Sequence, residues 1–278
     1  MFTKKNNSTF YLKSQFPSLV KNPFKCYIYG SSFDEIIQLL RLVRRKRNTS
    51  LLQIVMKTID PKDLMEAGVH YGYSRTRRHP TVSKFIYGTK DKVDIIDIEK
   101  TIPQIEAAVN FLKGLAASGK TVLFVGVKPE SRASVQDVAT GLNQPFVTER
   151  WIGGMLTNFT EIKRRINKLE DMREKTTNGE LAKFTKKEQL LMSREMERLN
   201  KYFSGMVGVA KLPDALIIVD PKKEHIAVAE ARKSNIPMIT IGNTDCSIRA
   251  IEYPIIANDG SASSIKAILA ILKDAYQQ

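Results

Sequence analysis

A chain of 278 residues that is 42% apolar is long enough to bury a good core, as one large domain or two ordinary ones. It holds no run of about 18 apolar residues that could span a membrane. Its two cysteines, Cys26 and Cys246, stand far apart without further ligands, which excludes a cysteine-based zinc site and fits a reducing compartment. The formal charge of +15 favours a polyanionic partner, with nucleic acid ahead of an anionic membrane surface.

Residues 1–55 carry ten Lys and Arg against two Asp and Glu and end in Arg41-Leu-Val-Arg-Arg-Lys-Arg47. Only Phe33 to Val43 has helical spacing. Three origins fit this stretch: a basic RNA-binding arm, an organelle transit peptide, or sequence upstream of a true start at Met56. The last is favoured, because ordered patterning begins immediately after Met56.

Asp60-Pro61 has the form of an N-cap followed by a first-turn proline and predicts a short helix to about Ala67. Tyr71 to Pro80 reads as a loop holding Arg75, Arg77, Arg78 and His79. Phe85–Tyr87 and Val93–Ile98 are strand-like runs flanking Gly88–Lys92, which suggests a hairpin. Helical spacing over 101–118 precedes a buried strand at 121–125, a helix over 131–141 and a short strand at 145–147. Further strands are predicted at 215–219, 237–241 and 254–257, with helices over 223–234 and 261–276. Continuous apolar strands alternating with helices predict a doubly wound α/β domain around a parallel sheet, over 56–156 and 205–278.

Residues 157–204 interrupt that alternation. Ile162, Ile166, Leu169 and Met172 make a narrow apolar stripe, and Leu191, Met196, Leu199 and Phe203 a second. Thr185 to Glu188 has capping-box spacing. The expectation is an inserted helical hairpin, packed like a coiled coil and projecting from the domain. The segment leading into it, Glu149 to Phe159, holds the only tryptophan, Trp151, beside Arg150 and before Gly153-Gly154. It is expected to be the hinge of that hairpin: the glycines permit the exit, Trp151 anchors it, and Arg150 faces RNA.

Gly114 to Thr121 matches the phosphate-loop pattern G-x-x-x-x-G-K-[ST]. A phosphate loop must run from a strand into a helix, whereas here a helix precedes and a strand follows, so an NTPase is the weaker alternative. Asp220, at a strand end, is best explained as an Asx turn or N-cap. His70, His79 and His225 lack metal-ligand spacing, and no catalytic constellation emerges. Basic groups do accumulate: Arg75, Arg77 and Arg78 on the loop, Arg150 at the hinge, and Lys163, Arg164 and Arg165 on the first hairpin helix. Their spread suits a large folded RNA.

Several segments resemble the bacterial-type small-subunit ribosomal protein S-two family. They are Ala67–Gly72, Ile95–Thr101, Phe124–Gly126, Arg150–Asn158, Leu212–Ala215 and Glu224–Ala227, in that family's order. The resemblance runs from about Met56 to Leu272. It implies a flavodoxin-like domain with an inserted coiled-coil hairpin, and a structural, non-enzymatic role in the small (30S) ribosomal subunit. The implied partners are small-subunit rRNA, neighbouring ribosomal proteins and the large protein S-one, with no cofactor, metal, membrane or small-molecule substrate. It implies a ribosome of the cytoplasm, or of an organelle if residues 1–55 are a transit peptide. A free RNA-binding regulator is the remaining alternative. The chain departs from the family after Gly72, where Tyr73 and Arg78-His79-Pro80 replace the usual His and aromatic-Asn-Pro.

Overall fold

The structure, a computed structural model, describes residues 59–179 and 184–277. The expectations for residues 1–55 lie outside the described residues. Asp60 opens α1 (Pro61–Glu66): its carboxylate accepts from the Lys62 amide at 2.9 Å, and Pro61 begins the helix where no N–H is needed. A small antiparallel sheet follows, β1 (Tyr71–Ser74), β2 (Ile86–Lys90) and β3 (Val93–Ile96), in the order β1-β3-β2. The expected hairpin is β2–β3, turning on Asp91 and Lys92 with φ of 50° and 66°, the left-handed pair of a tight turn.

β1 occupies a stretch whose sequence predicts a loop. Four residues, one of them glycine, carry almost no strand signal; pairing with β3 makes the strand. Gly72 is required by close approach. A Cβ there would stand 2.7 Å from Thr244 Cγ2 and 2.8 Å from the Asp94 carbonyl oxygen.

After α2 (Ile98–Ala117) comes the main sheet. Its elements are β4 (Val122–Val125), α3 (Pro129–Gly141), β5 (Phe146–Val147), α4 (Phe159–Thr177), α5 (Lys186–Phe203), β6 (Ala215–Val219), α6 (His225–Lys233), β7 (Met238–Gly242), β8 (Tyr253–Ile256) and α7 (Ala262–Gln277). The strands are all parallel, in the order β5-β4-β6-β7-β8. Counted from β4 this is 2-1-3-4-5, the flavodoxin-like order. Every residue of β4, β6 and β7 is buried, which is why those strands read as unbroken apolar runs.

Alternation along the strands divides the core. Leu123, Val125, Leu216, Ile218 and Met238 face one layer, together with Ala227 and Ala231 of α6. On the other side α2, α3 and α7 pack together, and α2 lies against β8.

α4 and α5 fall between β5 and β6 and pack on each other. Thr185 caps α5 as its spacing predicts, accepting from the Glu188 amide at 3.4 Å while Glu188 Oε2 accepts from the Thr185 amide at 2.9 Å. The stripe of α4 does not stand clear of the domain as its narrowness suggests. Ile162, Ile166 and Leu169 are buried in one cluster with the sheet residues Leu123 and Leu216. Each such side chain contributes about 2 kcal/mol of burial, which fastens the first turns of α4 to the sheet. Further along, Met172 is half-buried, and Leu190 and Leu191 of α5 are exposed.

The segment from Trp151 to Thr157 is held by one carboxylate. Glu230 of α6 is 8% exposed. Its Oε1 accepts from Trp151 Nε1 (3.2 Å) and the Gly154 amide (2.7 Å). Its Oε2 accepts from the Leu156 amide (3.0 Å), the Thr157 amide (3.2 Å) and the Thr157 hydroxyl (3.2 Å). Trp151 is 4% exposed, so it anchors the segment by burial and is closed to stacking on a base.

The two glycines of that segment differ. Gly154 sits at φ +92° and a Cβ would crowd Asn158, whereas nothing lies within 4 Å of a Cβ on Gly153. Gly154→Ala is therefore expected to cost about 1–2 kcal/mol in urea unfolding, from the left-handed backbone. Gly153→Ala should change stability by under about 0.5 kcal/mol. Equal costs at both positions would show that the hinge does not depend on the Gly154 conformation.

Candidate nucleic-acid interface

Two basic surfaces result, one on the turn after β1 and one on α4. On the turn, Arg75–Arg77 forms a short 3-10 helix that leads into a second at Pro80–Phe85. Arg75 is exposed. Arg77 is also exposed; its guanidinium lies over the Tyr73 ring, 4.7 Å from the centroid, and 3.6 Å from Asp245 Oδ2. Such contacts orient a guanidinium without neutralising it.

Arg78 is placed differently. Its Nε donates to Asp94 Oδ2 at 2.7 Å, and Nη2 donates to Asp94 Oδ1 at 2.5 Å and to Thr89 Oγ1 at 3.0 Å. Asp94, on β3, is fully buried. The hydrogen-bonded Arg78 guanidinium, with Thr89 assisting, outweighs burial and holds the Asp94 carboxyl below the usual carboxylate range. A bidentate pair of this kind pins the turn to the small sheet. Arg78 thus spends Nε and Nη2 inside the protein, while Arg75 and Arg77 are the more exposed of the three.

Beside the turn an open cleft of about 430 Å³ is lined by His79, Lys222, His225, Arg232, Asp245 and apolar residues including Val228. Lys222 pairs with Asp245 at 2.9 Å, so Asp245 is shared with Arg77. Lys222, His225 and Arg232 stand at helical spacing and share one face at and along α6, which the cleft uses together with Val228 and Ala229.

On the second surface Arg150 and Arg165 are exposed and have no ion-pair partner among the described residues. Lys163 donates to the Ala210 carbonyl oxygen at 3.0 Å, and Arg164 pairs with Glu161 at 2.7 Å, both at exposed sites where such contacts hold little energy. Arg165 shares a shallow cavity of about 470 Å³ with Lys168, Arg198 and Tyr202. Lys168 and Arg198 are missed by a search for basic runs; Lys168 pairs with Glu195 across α4 and α5, and Arg198 pairs with the same carboxylate within α5.

The phosphate-loop pattern falls where its chemistry fails. Gly114 lies inside α2, Gly119 follows the helix at φ +60°, and β4 comes after it. The amides of 118–120 are consumed by the helix end, with Lys120 N bonded to the Leu115 carbonyl oxygen, and the Thr121 amide donates to Asp214. Cys246 donates to the Asn243 carbonyl oxygen at 3.0 Å, and burial pushes its thiol up to about 12, far from a nucleophile's range.

These features define a flavodoxin-like α/β protein whose exposed faces carry separate basic surfaces. A family model described as ribosomal protein S2 matches residues 64–278. The small ribosomal subunit protein uS2 of Sulfurimonas denitrificans is 43% identical over 217 residues, covering 78% of this chain and 84% of that relative. The chain belongs to the ribosomal protein S2 family.

Proposed function

We propose that the protein is a structural component of the small ribosomal subunit, bound to small-subunit rRNA and neighbouring ribosomal proteins through phosphate contacts. Membership of the S2 family supports the ribosomal role. The observation that carries the mode of binding is the division of labour on the β1 turn. Arg78 is spent on Asp94, and Arg75 and Arg77 are left exposed beside a cleft edged by Lys222, His225 and Arg232. Guanidinium groups held in place bind phosphate with less entropy loss than free ones.

Arg150, Lys163, Arg164 and Arg165 supply a second set of contacts, and Trp151, Gly153 and Gly154 form the hinge between them and the sheet. Residues 157–204 act as one arm, with 56–156 and 205–278 as its base. The role is non-enzymatic and belongs to a cytoplasmic ribosome. Ribosomal protein S-one is a candidate neighbour.

The test is binding of the full chain to a small-subunit rRNA transcript across a salt series. Each lost phosphate contact should lower the salt slope by about 0.7–0.9, so Arg75→Ala with Arg77→Ala should lower it by nearly twice that and weaken binding at every salt concentration. Unchanged slopes would remove this turn from the interface. Recovery of the native protein only outside 30S particles, in translating cells, would remove the ribosomal role.

A further inference from the structure

In flavodoxin-like sheets the ligand crevice lies outside the carboxyl ends of the strands, where the strand order reverses. Here that point lies between β4 and β6. It is filled by Lys128, which follows β4 and is 14% exposed. Its ammonium meets the Tyr73 hydroxyl at 2.9 Å, Asp259 Oδ2 at 3.1 Å and Asp220 Oδ2 at 3.2 Å. The ammonium thus donates one hydrogen bond to Tyr73 and pairs with two carboxylates. Asp259 is fixed in turn by Asn243 Nδ2 at 3.1 Å. Asp220, at φ +62°, also accepts from the Lys223 amide at 3.1 Å. The ends of β6 and β8 and one residue of β1 therefore converge on the cation that follows β4.

The arrangement points outward through Tyr73. Its amide donates to Thr244 Oγ1 at 3.0 Å, its hydroxyl is held by Lys128, and its ring carries the Arg77 guanidinium. We propose that Lys128 is a positioning residue for RNA binding: it locks Tyr73, and the locked ring presents Arg77 to a phosphate. The crevice that would hold a ligand serves instead to aim a side chain at RNA. This rests on Arg77 being an RNA contact, as proposed above.

The test measures affinity of the full chain for a small-subunit rRNA transcript, with its salt slope, for Arg77→Ala, Lys128→Met and the double variant. Arg77→Ala alone checks the underlying assignment and should weaken binding about ten-fold with a slope lower by about 0.7–0.9. Lys128→Met should reproduce most of that loss, including the slope, although it removes no RNA contact itself. Added to Arg77→Ala, it should cost less than about two-fold more, since coupled residues do not add. Tyr73→Phe keeps the ring and loses the hydroxyl that meets Lys128 and Asp259, so it serves if Lys128→Met fails to fold; an effect of about three-fold is expected. A silent Arg77→Ala would show that the Arg77 assignment is what failed. An Arg77→Ala loss with equal Lys128→Met or Tyr73→Phe losses in both backgrounds, or with neither variant affecting binding, would overturn the positioning role.

Discussion

Glu230→Ala is expected to destabilise the protein by about 4 kcal/mol, a large fraction of the roughly 5–15 kcal/mol typical of a folded domain. The carboxylate receives five hydrogen bonds from the Trp151–Thr157 segment. Alanine leaves those donors without an acceptor in a buried site, at about 1–3 kcal/mol for each that water cannot reach. Glu230→Gln should cost about half as much, because its NH2 replaces one acceptor and opposes the amides on that side. Urea midpoints provide the measurement. A local probe comes with the chain: Trp151 is its only tryptophan. Its fluorescence should shift to the red in native Glu230→Ala as the indole leaves its buried place. An unshifted emission with a loss below about 1 kcal/mol would refute the role given to Glu230.

The same residue predicts an acid sensitivity. Burial disfavours the Glu230 carboxylate, but the Leu156, Gly154 and Thr157 amides and the Trp151 N–H outweigh burial and lower its pKa. A depressed folded value means stability that is complete above the unfolded value, about 4.3 for Glu, and lost as pH falls through the folded one. Asp94 behaves alike, below its unfolded value of about 3.9. Acid unfolding of the wild type should therefore begin below about pH 4, and Glu230→Gln should flatten its pH dependence there.

Arg78→Ala is expected to cost about 3 kcal/mol by a different route. It strands the Asp94 carboxylate, fully buried on β3, without its cation. Adding Asp94→Asn should recover more than half of the loss, since the uncompensated charge is then gone. Failure of Asp94→Asn to rescue would show that Arg78 contributes through packing alone. Arg78→Ala should also weaken rRNA binding, because the turn carrying Arg75 and Arg77 loses its anchor on Asp94. That separates Arg78 from Arg150, where alanine should lower the salt slope and leave stability unchanged within about 0.5 kcal/mol.

The parallel sheet was legible because its signals are local. Ala215–Val219 and Val122–Val125 are unbroken apolar runs between helical patterns, and such runs are strands buried on both faces. The false phosphate loop was legible for the same reason, since the order of helix and strand is written in the chain. β1 was not legible: Tyr71–Ser74 becomes a strand through β3 and through the contact of Gly72 with Thr244. Glu230 left one readable trace, a charged residue on the buried Ala227–Ala231 face of α6. Lys128 left none, because Tyr73, Asp220 and Asp259 are spread along the chain.

By itself, then, the sequence determined the order of strands and helices in the parallel domain, the basic excess and the S2 motifs. Each depends on spacing within a few residues or on composition. Which arginines face solvent, which lysine plugs the crevice and which carboxylate holds the hinge were decided by the tertiary structure alone. Burial and ion pairing depend on distances in space, and here they join residues as far apart as Trp151 and Glu230 or Lys128 and Asp259.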